Sequence, residues 1–244
     1  MRALSTQELL SVWEQGMAQS PIQRALTLLA AACSETTWEG LAQLTMGQRD
    51  TLLLTLRTWT FGPQLVALAT CPGCGERVEL SFSVDDLRVA PDRELGEVLS
   101  LHAAGYEVRF RLPNSLDLAA VANHADVTTV RYLMLERCLL TAFHNGEPRC
   151  SDQLPADVVE AMVEHMGQAD PQADVQLLLA CPRCGQQWQA VFDIESFFWS
   201  EINAWANRTL REVHTLASRY GWRELDILAM SPWRRQFYLN MVSG

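Results

Sequence analysis

The string C-P-x-C-G occurs twice, as Cys71-Pro72-Gly73-Cys74-Gly75 and Cys181-Pro182-Arg183-Cys184-Gly185, and nothing else in the chain restricts its fold as much. A tight turn of this spacing aims both thiolates at one point, and the glycine that follows lets the backbone pass without a Cβ clash. Each string supplies two ligands, whereas tetrahedral zinc takes four. Cys71, Cys74, Cys181 and Cys184 are therefore expected to share one structural zinc, and two remote stretches of chain must meet.

The flanks repeat along with the turns. A shift of 110 positions places Cys74 on Cys184, Val78 on Trp188, Leu80 on Ala190, Phe82 on Phe192 and Val84 on Ile194. Both tails alternate apolar and mostly polar residues at period two, the pattern of a half-buried strand. Upstream, Leu65-Val66-Ala67-Leu68 and Val175-Gln176-Leu177-Leu178-Leu179 can form the other arm of each hairpin. Two hairpins with a knuckle at each tip make a zinc ribbon. A redox C-x-x-C pair would place a low-pKa thiolate at a helix N-terminus, but strands follow both turns here, and two independent redox pairs explain the duplication less economically than one four-thiolate site. Between Cys74 and Cys181 lie 106 residues, an insertion that must fold in its own right. Loop closure costs only about 0.6 kcal/mol more per doubling of length, so zinc can still join the ends. With four protein ligands the metal keeps no open position, and it stabilises without catalysing.

The chain has 244 residues, 48% of them hydrophobic and 20% charged, which is enough for one or two cores. Arg2, Glu8 and Glu14 interrupt the N-terminal stretch where a secretory signal would need an unbroken apolar run. Charged residues also divide every long apolar segment, so no membrane span is expected. A reducing compartment follows, and the seven cysteines are not expected to form a disulfide framework. The formal net charge of −10 and the dispersed arginines argue against broad phosphate contact. Arg234-Arg235 is the nearest approach to a basic cluster and reads as a solvated face.

Helices are expected near Leu9-Leu10-Trp13, over Pro21–Cys33 and over Gln48–Phe61, with a shorter element around Trp38, Leu41 and Leu44. In the insertion, Tyr106–Leu112 reads as a strand, Asn114 or Ser115 as the cap of a helix toward His124, and Thr128–Leu140 as a second helix. Asn145-Gly146 marks a turn, and Leu154-Pro155 opens a helix that leaves at Asp170-Pro171. Cys33 and Cys138 read as buried structural cysteines, and Cys138, His144 and Cys150 match no ligand spacing. No carboxylate pair, Ser-His-Asp set, phosphate loop or dinucleotide glycine string appears, so no enzyme is indicated. Phe198, Ile202, Trp205, Thr209, Val213, Leu216 and Tyr220 define one face of a long helix ended by Gly221. Trp222–Met230 and Ser231–Val242 follow as shorter helices, the last with serine at the N-cap and proline at the first helical position. Trp199, Trp205, Trp222 and Trp233 concentrate aromatic area here, as helix packing or as a partner-binding surface.

Several strings in order carry a family resemblance: Thr60-Phe61-Gly62 before the first knuckle, Leu112-Pro113-Asn114-Ser115-Leu116-Asp117, and Asp170-Pro171-Gln172-Ala173-Asp174 before the second. They continue with Phe192-Asp193-Ile194, Glu212-Val213-His214, Tyr220-Gly221-Trp222 and Ser231-Pro232-Trp233-Arg234-Arg235. Together they resemble the baseplate proteins of T-even phages, often called baseplate hub assembly chaperones, and their relatives in phage-tail-like contractile injection systems. The resemblance implies a non-enzymatic assembly chaperone or structural part of a baseplate or hub, contacting hub, spike or neighbouring baseplate proteins. It implies a cytoplasmic stage during assembly, with incorporation into the tail-like particle left open. The alternative from the knuckles alone is a nucleic-acid-binding zinc ribbon, for which Arg77, Arg183 and Trp188 are the residues on offer. The expected fold is α+β and mainly helical. It comprises an N-terminal helical region (1–64), a split zinc ribbon (65–88 and 175–194), an inserted, mostly helical module with a short strand (89–174), and C-terminal helices (195–244).

Overall fold

The computed structural model describes residues 1–89 and 98–243; positions 90–97, at the start of the expected insertion, lie outside the described residues. The chain divides into two compact units, one formed by Met1–Thr36 with Ile194–Gly244 and the other by Thr37–Asp193. The architecture is a mixed α+β one, mainly helical, with paired antiparallel hairpins at the two cysteine pairs.

The first unit is all helical. Helices α1 (Thr6–Gly16) and α2 (Pro21–Ala32) each start from a serine whose hydroxyl accepts the N–H of the third helical residue. Glu8 and Gln23 return the bond to the serine's own N–H, which satisfies two otherwise orphaned donors per helix. After the second unit the chain returns to this one as a long helix. Helix α8 (Ile194–Tyr220) is 27 residues long and buries Phe198, Ile202, Ala206, Thr209, Val213 and Leu216. The stripe differs from the sequence expectation at two positions: Ala206 lies at its centre where Trp205 is only half-buried, and Tyr220 is exposed. A small residue lets the neighbouring helix come close, and the bulkier tryptophan covers the edge. Helices α9 (Glu224–Leu228) and α10 (Pro232–Ser243) close the unit. Leu10, Ala206, Val213, Leu216, Ile227 and Leu228 form its core.

In the second unit, α3 (Trp38–Gln43) and α4 (Met46–Phe61) precede the first hairpin, β1 (Gln64–Thr70) and β2 (Arg77–Ser83). A four-stranded antiparallel sheet follows: β3 (Leu99–Ala103), β4 (Tyr106–Phe110), β5 (Leu139–His144) and β6 (Glu147–Pro148), in that order. Helices α5 (Ser115–Val121) and α6 (Val127–Cys138) lie between β4 and β5 in sequence, and α7 (Ala156–Ala169) precedes the second hairpin, β7 (Gln176–Ala180) and β8 (Gln187–Val191). Leu99, Val108, Phe110 and Ala142 from the sheet meet Val158 and Met162 of α7 in one core.

The insertion thus holds a sheet where the sequence suggests a single strand. The helix expected to run to Leu140 ends at Cys138, and Leu139 pairs with Phe110 across a shift in register. Leu139, Leu140 and Ala142 carry little strand preference, and pairing with the open edge of β4 decides in favour of β5. The Asn145-Gly146 turn is present, with both residues at positive φ, 53° and 81°, as a two-residue hairpin requires.

Candidate metal centre

The two knuckles fold alike. In the first, Cys71 N–H donates to the Glu76 carbonyl at 2.8 Å and Gly75 N–H to the Cys71 carbonyl at 2.9 Å; in the second, Cys181 donates to Gln186 and Gly185 to Cys181, both at 2.9 Å. Gly75 and Gly185 carry φ of 72° and 73°. That left-handed turn is what carries the chain from the second cysteine into the returning strand, and it explains the glycine of each string. The strands beyond are registered correspondingly, Thr70 opposite Arg77 and Ala180 opposite Gln187.

The hairpins bring all four sulfurs together, within 4.8 Å of one another. Cys71 and Cys184 are 3.6 Å apart across the knuckles, as are Cys74 and Cys181. A disulfide would close these gaps to about 2.0 Å, whereas four sulfurs about 2.3 Å from a central cation stand about 3.8 Å apart. The spacing suits four thiolates around one metal ion. Cys71 and Cys181 are buried, and Cys74 and Cys184 face outward.

The four thiols are electrostatically unequal. Hydrogen bonds donated by the backbone N–H groups of Cys184 and Arg183 draw the Cys181 thiol down to about 7, against burial. At Cys74 the N–H of Glu76 also favours the thiolate, but burial and hydrogen bonding to the other three cysteines outweigh it and push the thiol up to about 12. Four thiolates at this range repel one another, and a dication relieves that repulsion.

Beneath the sulfurs, Val78 forms a small apolar cluster with Cys71 and Cys181, flanked by Leu80 and Trp188. Phe82 and Phe192, the pair related by the 110-residue shift, meet edge to face with centroids 5.8 Å apart. Across the tips, Arg183 forms an ion pair with Glu76 at 2.9 Å. At the corresponding place, Gln186 packs over Gly73, about where a Cβ there would make ordinary contact. Trp188 is half-buried rather than displayed.

Among the described residues, no other group of three or more His, Cys, Asp or Glu side chains converges in this way. Cys138 is buried, and burial together with the Asp117 carboxylate pushes its thiol up to about 11. His144 stacks on Tyr106 with centroids 4.3 Å apart, and Cys150 is exposed. Of the C-terminal tryptophans, Trp199, Trp205 and Trp222 are half-buried and Trp233 is exposed. Trp199 lies on Gly16 and under the Arg24 guanidinium, and Trp222 stacks on Tyr220 and meets Tyr238 edge-on.

The remaining strings singled out in the sequence hold joints. Asp117 of Leu-Pro-Asn-Ser-Leu-Asp is fully buried and accepts bonds from Arg111, Arg137 and the Asn114 N–H. Asp170 accepts the Gly47 N–H in the first turn of α4, and the buried Gln172 spans Leu87 and Val89. Arg235 corrects an expectation. Instead of a solvated face, it is buried, donating to Glu212 at 3.1 Å and to the Met230 carbonyl at 2.8 Å. Glu212-Val213-His214 and Ser231-Pro232-Trp233-Arg234-Arg235 are therefore the two sides of one contact. Sequence reading missed that pairing because charge alone does not tell which of two adjacent arginines points inward.

The sequence model of the family described as T4 bacteriophage base plate protein matches residues 4–199. No curated protein and no solved structure matches the chain. Among the described residues, no helix is long and apolar enough to cross a membrane.

Proposed function

This chain belongs to the T4 bacteriophage base plate protein family, and from that premise we propose that it works as a non-enzymatic assembly chaperone or structural component of the baseplate or hub of a contractile tail or contractile injection system. Its partners are hub, spike or neighbouring baseplate proteins, met in the cytoplasm while the particle is built. The family match over residues 4–199 is the observation that carries this reading.

Cys71, Cys74, Cys181 and Cys184 are the ligands of one structural zinc ion, and the two hairpins with their knuckles make a zinc ribbon split by the insertion. A closed, all-thiolate tetrahedron favours zinc over harder divalent ions. The metal holds the ends of the insertion together and leaves no coordination position for a substrate. Metal analysis of purified protein should return about one zinc per chain; an intact fold without it would remove the staple from this account. The tip offers little to nucleic acid, because Arg183 is already neutralised by Glu76.

Trp199, Trp205, Trp222 and Trp233 are the proposed partner-facing group, with Trp233 presenting the most area. Co-expression with the hub and spike proteins of the same particle tests the main reading. A stable complex, and particles that fail to assemble when this protein is deleted, are expected. Intact particles in its absence and no complex would refute it.

A further inference from the structure

Helix α10 is apolar on two opposite faces. Toward the first unit's core it turns Arg235, Tyr238 and Leu239. Away from that core it carries Trp233, Phe237 and Met241, spaced four apart and 78%, 50% and 59% exposed. The Trp233 and Phe237 rings stack on each other with centroids 6.0 Å apart. Arg234, Gln236 and Asn240 separate the two faces, and an exposed, contiguous apolar stripe of this kind marks an interaction site; among the described residues it has no neighbour.

We propose that the missing neighbour is the same helix of a second copy, crossing antiparallel about a two-fold axis near Phe237, so that the protein is an isologous dimer. Three observations favour a second copy. The chain carries a net charge of −10, and two such chains repel wherever carboxylates meet, yet α10 contains no Asp or Glu. It is a place where two copies can approach without that penalty. The stripe is also self-complementary: an antiparallel crossing sets the Trp233 ring of one copy on the Met241 thioether of the other, a favourable sulfur–aromatic contact, and lays Phe237 on Phe237.

Charge fits this direction as well. α10 has no basic residue in its last turn, where a positive charge is favourable. The crossing brings the exposed Arg234 from the first turn of one helix beside the last turn of the other, whereas a parallel arrangement would set Arg234 against Arg234. Area is the third argument. The two rings and the methionine offer on the order of 350 Å² of apolar surface per copy. With a polar rim of Arg234, Gln236 and Asn240, this stays below the roughly 800 Å² per partner of a stable interface, which fits a reversible, concentration-dependent dimer.

Light scattering and sedimentation equilibrium on the isolated full chain, over a wide concentration range, test the proposal. The wild-type protein should show twice the 27.4 kDa chain mass. Phe237→Asp should return it to the single-chain mass with an unchanged circular dichroism spectrum; if that variant does not fold, Trp233→Arg provides the same readout. A wild-type protein that stays at the single-chain mass throughout, because a different baseplate protein covers α10, would overturn the proposal. So would a dimer that survives the substitutions. The measurement needs no baseplate partner: a dimer takes Trp233 out of the proposed partner-facing group and leaves the baseplate reading to its own co-expression experiment.

Discussion

At the residue scale, the chain solves its buried-charge problems with arginine. All 19 basic residues are arginines, and Arg49, Arg57 and Arg235 are buried. A guanidinium can bridge several acceptors from one position, which a lysine ammonium does less well. Asp117 shows the favourable case. Burial alone would raise its pKa, but hydrogen bonds from Arg111, Asn114 N–H and Arg137 lower it. A carboxyl with a depressed folded-state pKa stabilises the protein above its unfolded value of about 4 and loses that contribution as pH falls through the folded value. Asp117→Ala should therefore cost about 3 kcal/mol at neutral pH and progressively less in acid, measured by urea unfolding. Asp50 shows the reverse. Desolvation, with repulsion from Asp193 and Asp170, raises it to about 6 despite an ion pair with Arg49 at 2.7 Å. Its contribution is fully present below about pH 4 and is lost as pH rises through about 6. Asp50→Asn should gain about 1 kcal/mol at pH 7 and flatten stability between those limits; a loss at pH 7 would show that the ion pair outweighs the desolvation.

At the element scale, close approaches decide the packing. Gly16, the last residue of α1, has no room for a side chain, because a Cβ there would run into the Trp199 indole of α8. The indole is itself held under Arg24, whose Nε donates to the Gly16 carbonyl at 2.9 Å, so it cannot easily move aside. Gly16→Ala should cost about 1–3 kcal/mol and change the tryptophan fluorescence, whereas a nearly silent substitution would mean that the ring has a second place to rest. The helix starts were readable, since Ser5, Ser20, Thr37 and Thr45 all cap helices close to where the sequence suggests them. The sheet of the insertion was not. Apart from Thr141 and Phe143, β3 and β5 are built from leucine, alanine and single polar residues with little strand preference, and they become strands because β4 lies between them.

At the scale of the whole molecule, each unit needs chain segments far apart in sequence. The first joins Met1–Thr36 to Ile194–Gly244, and within the second, residues from the two knuckles meet across the insertion. The second unit should depend on the metal. Cys181→Ser, or a strong chelator, should remove the proposed zinc and lower the thermal transition rather than merely weaken binding to a partner, as calorimetry with and without chelator would report. An unchanged transition would show that the hairpins hold by Val78, Trp188 and the Phe82–Phe192 contact alone.

The sequence by itself determined the four cysteines, their hairpins, most helix starts and the family, because each is written in local spacing, in turn chemistry or in the order of short strings. Tertiary structure decided what those strings are for. That Glu212 answers Arg235, that Asp170 accepts the Gly47 N–H of α4 and that Gln172 bonds both Leu87 and Val89 depend on residues many positions apart, and only a closed fold brings such partners within hydrogen-bond reach. It also decided which of the C-terminal tryptophans remains uncovered. Periodicity assigns a residue to a helix face but not the neighbour that face will meet, and the repeated knuckle was readable in advance because its partner is a copy of itself.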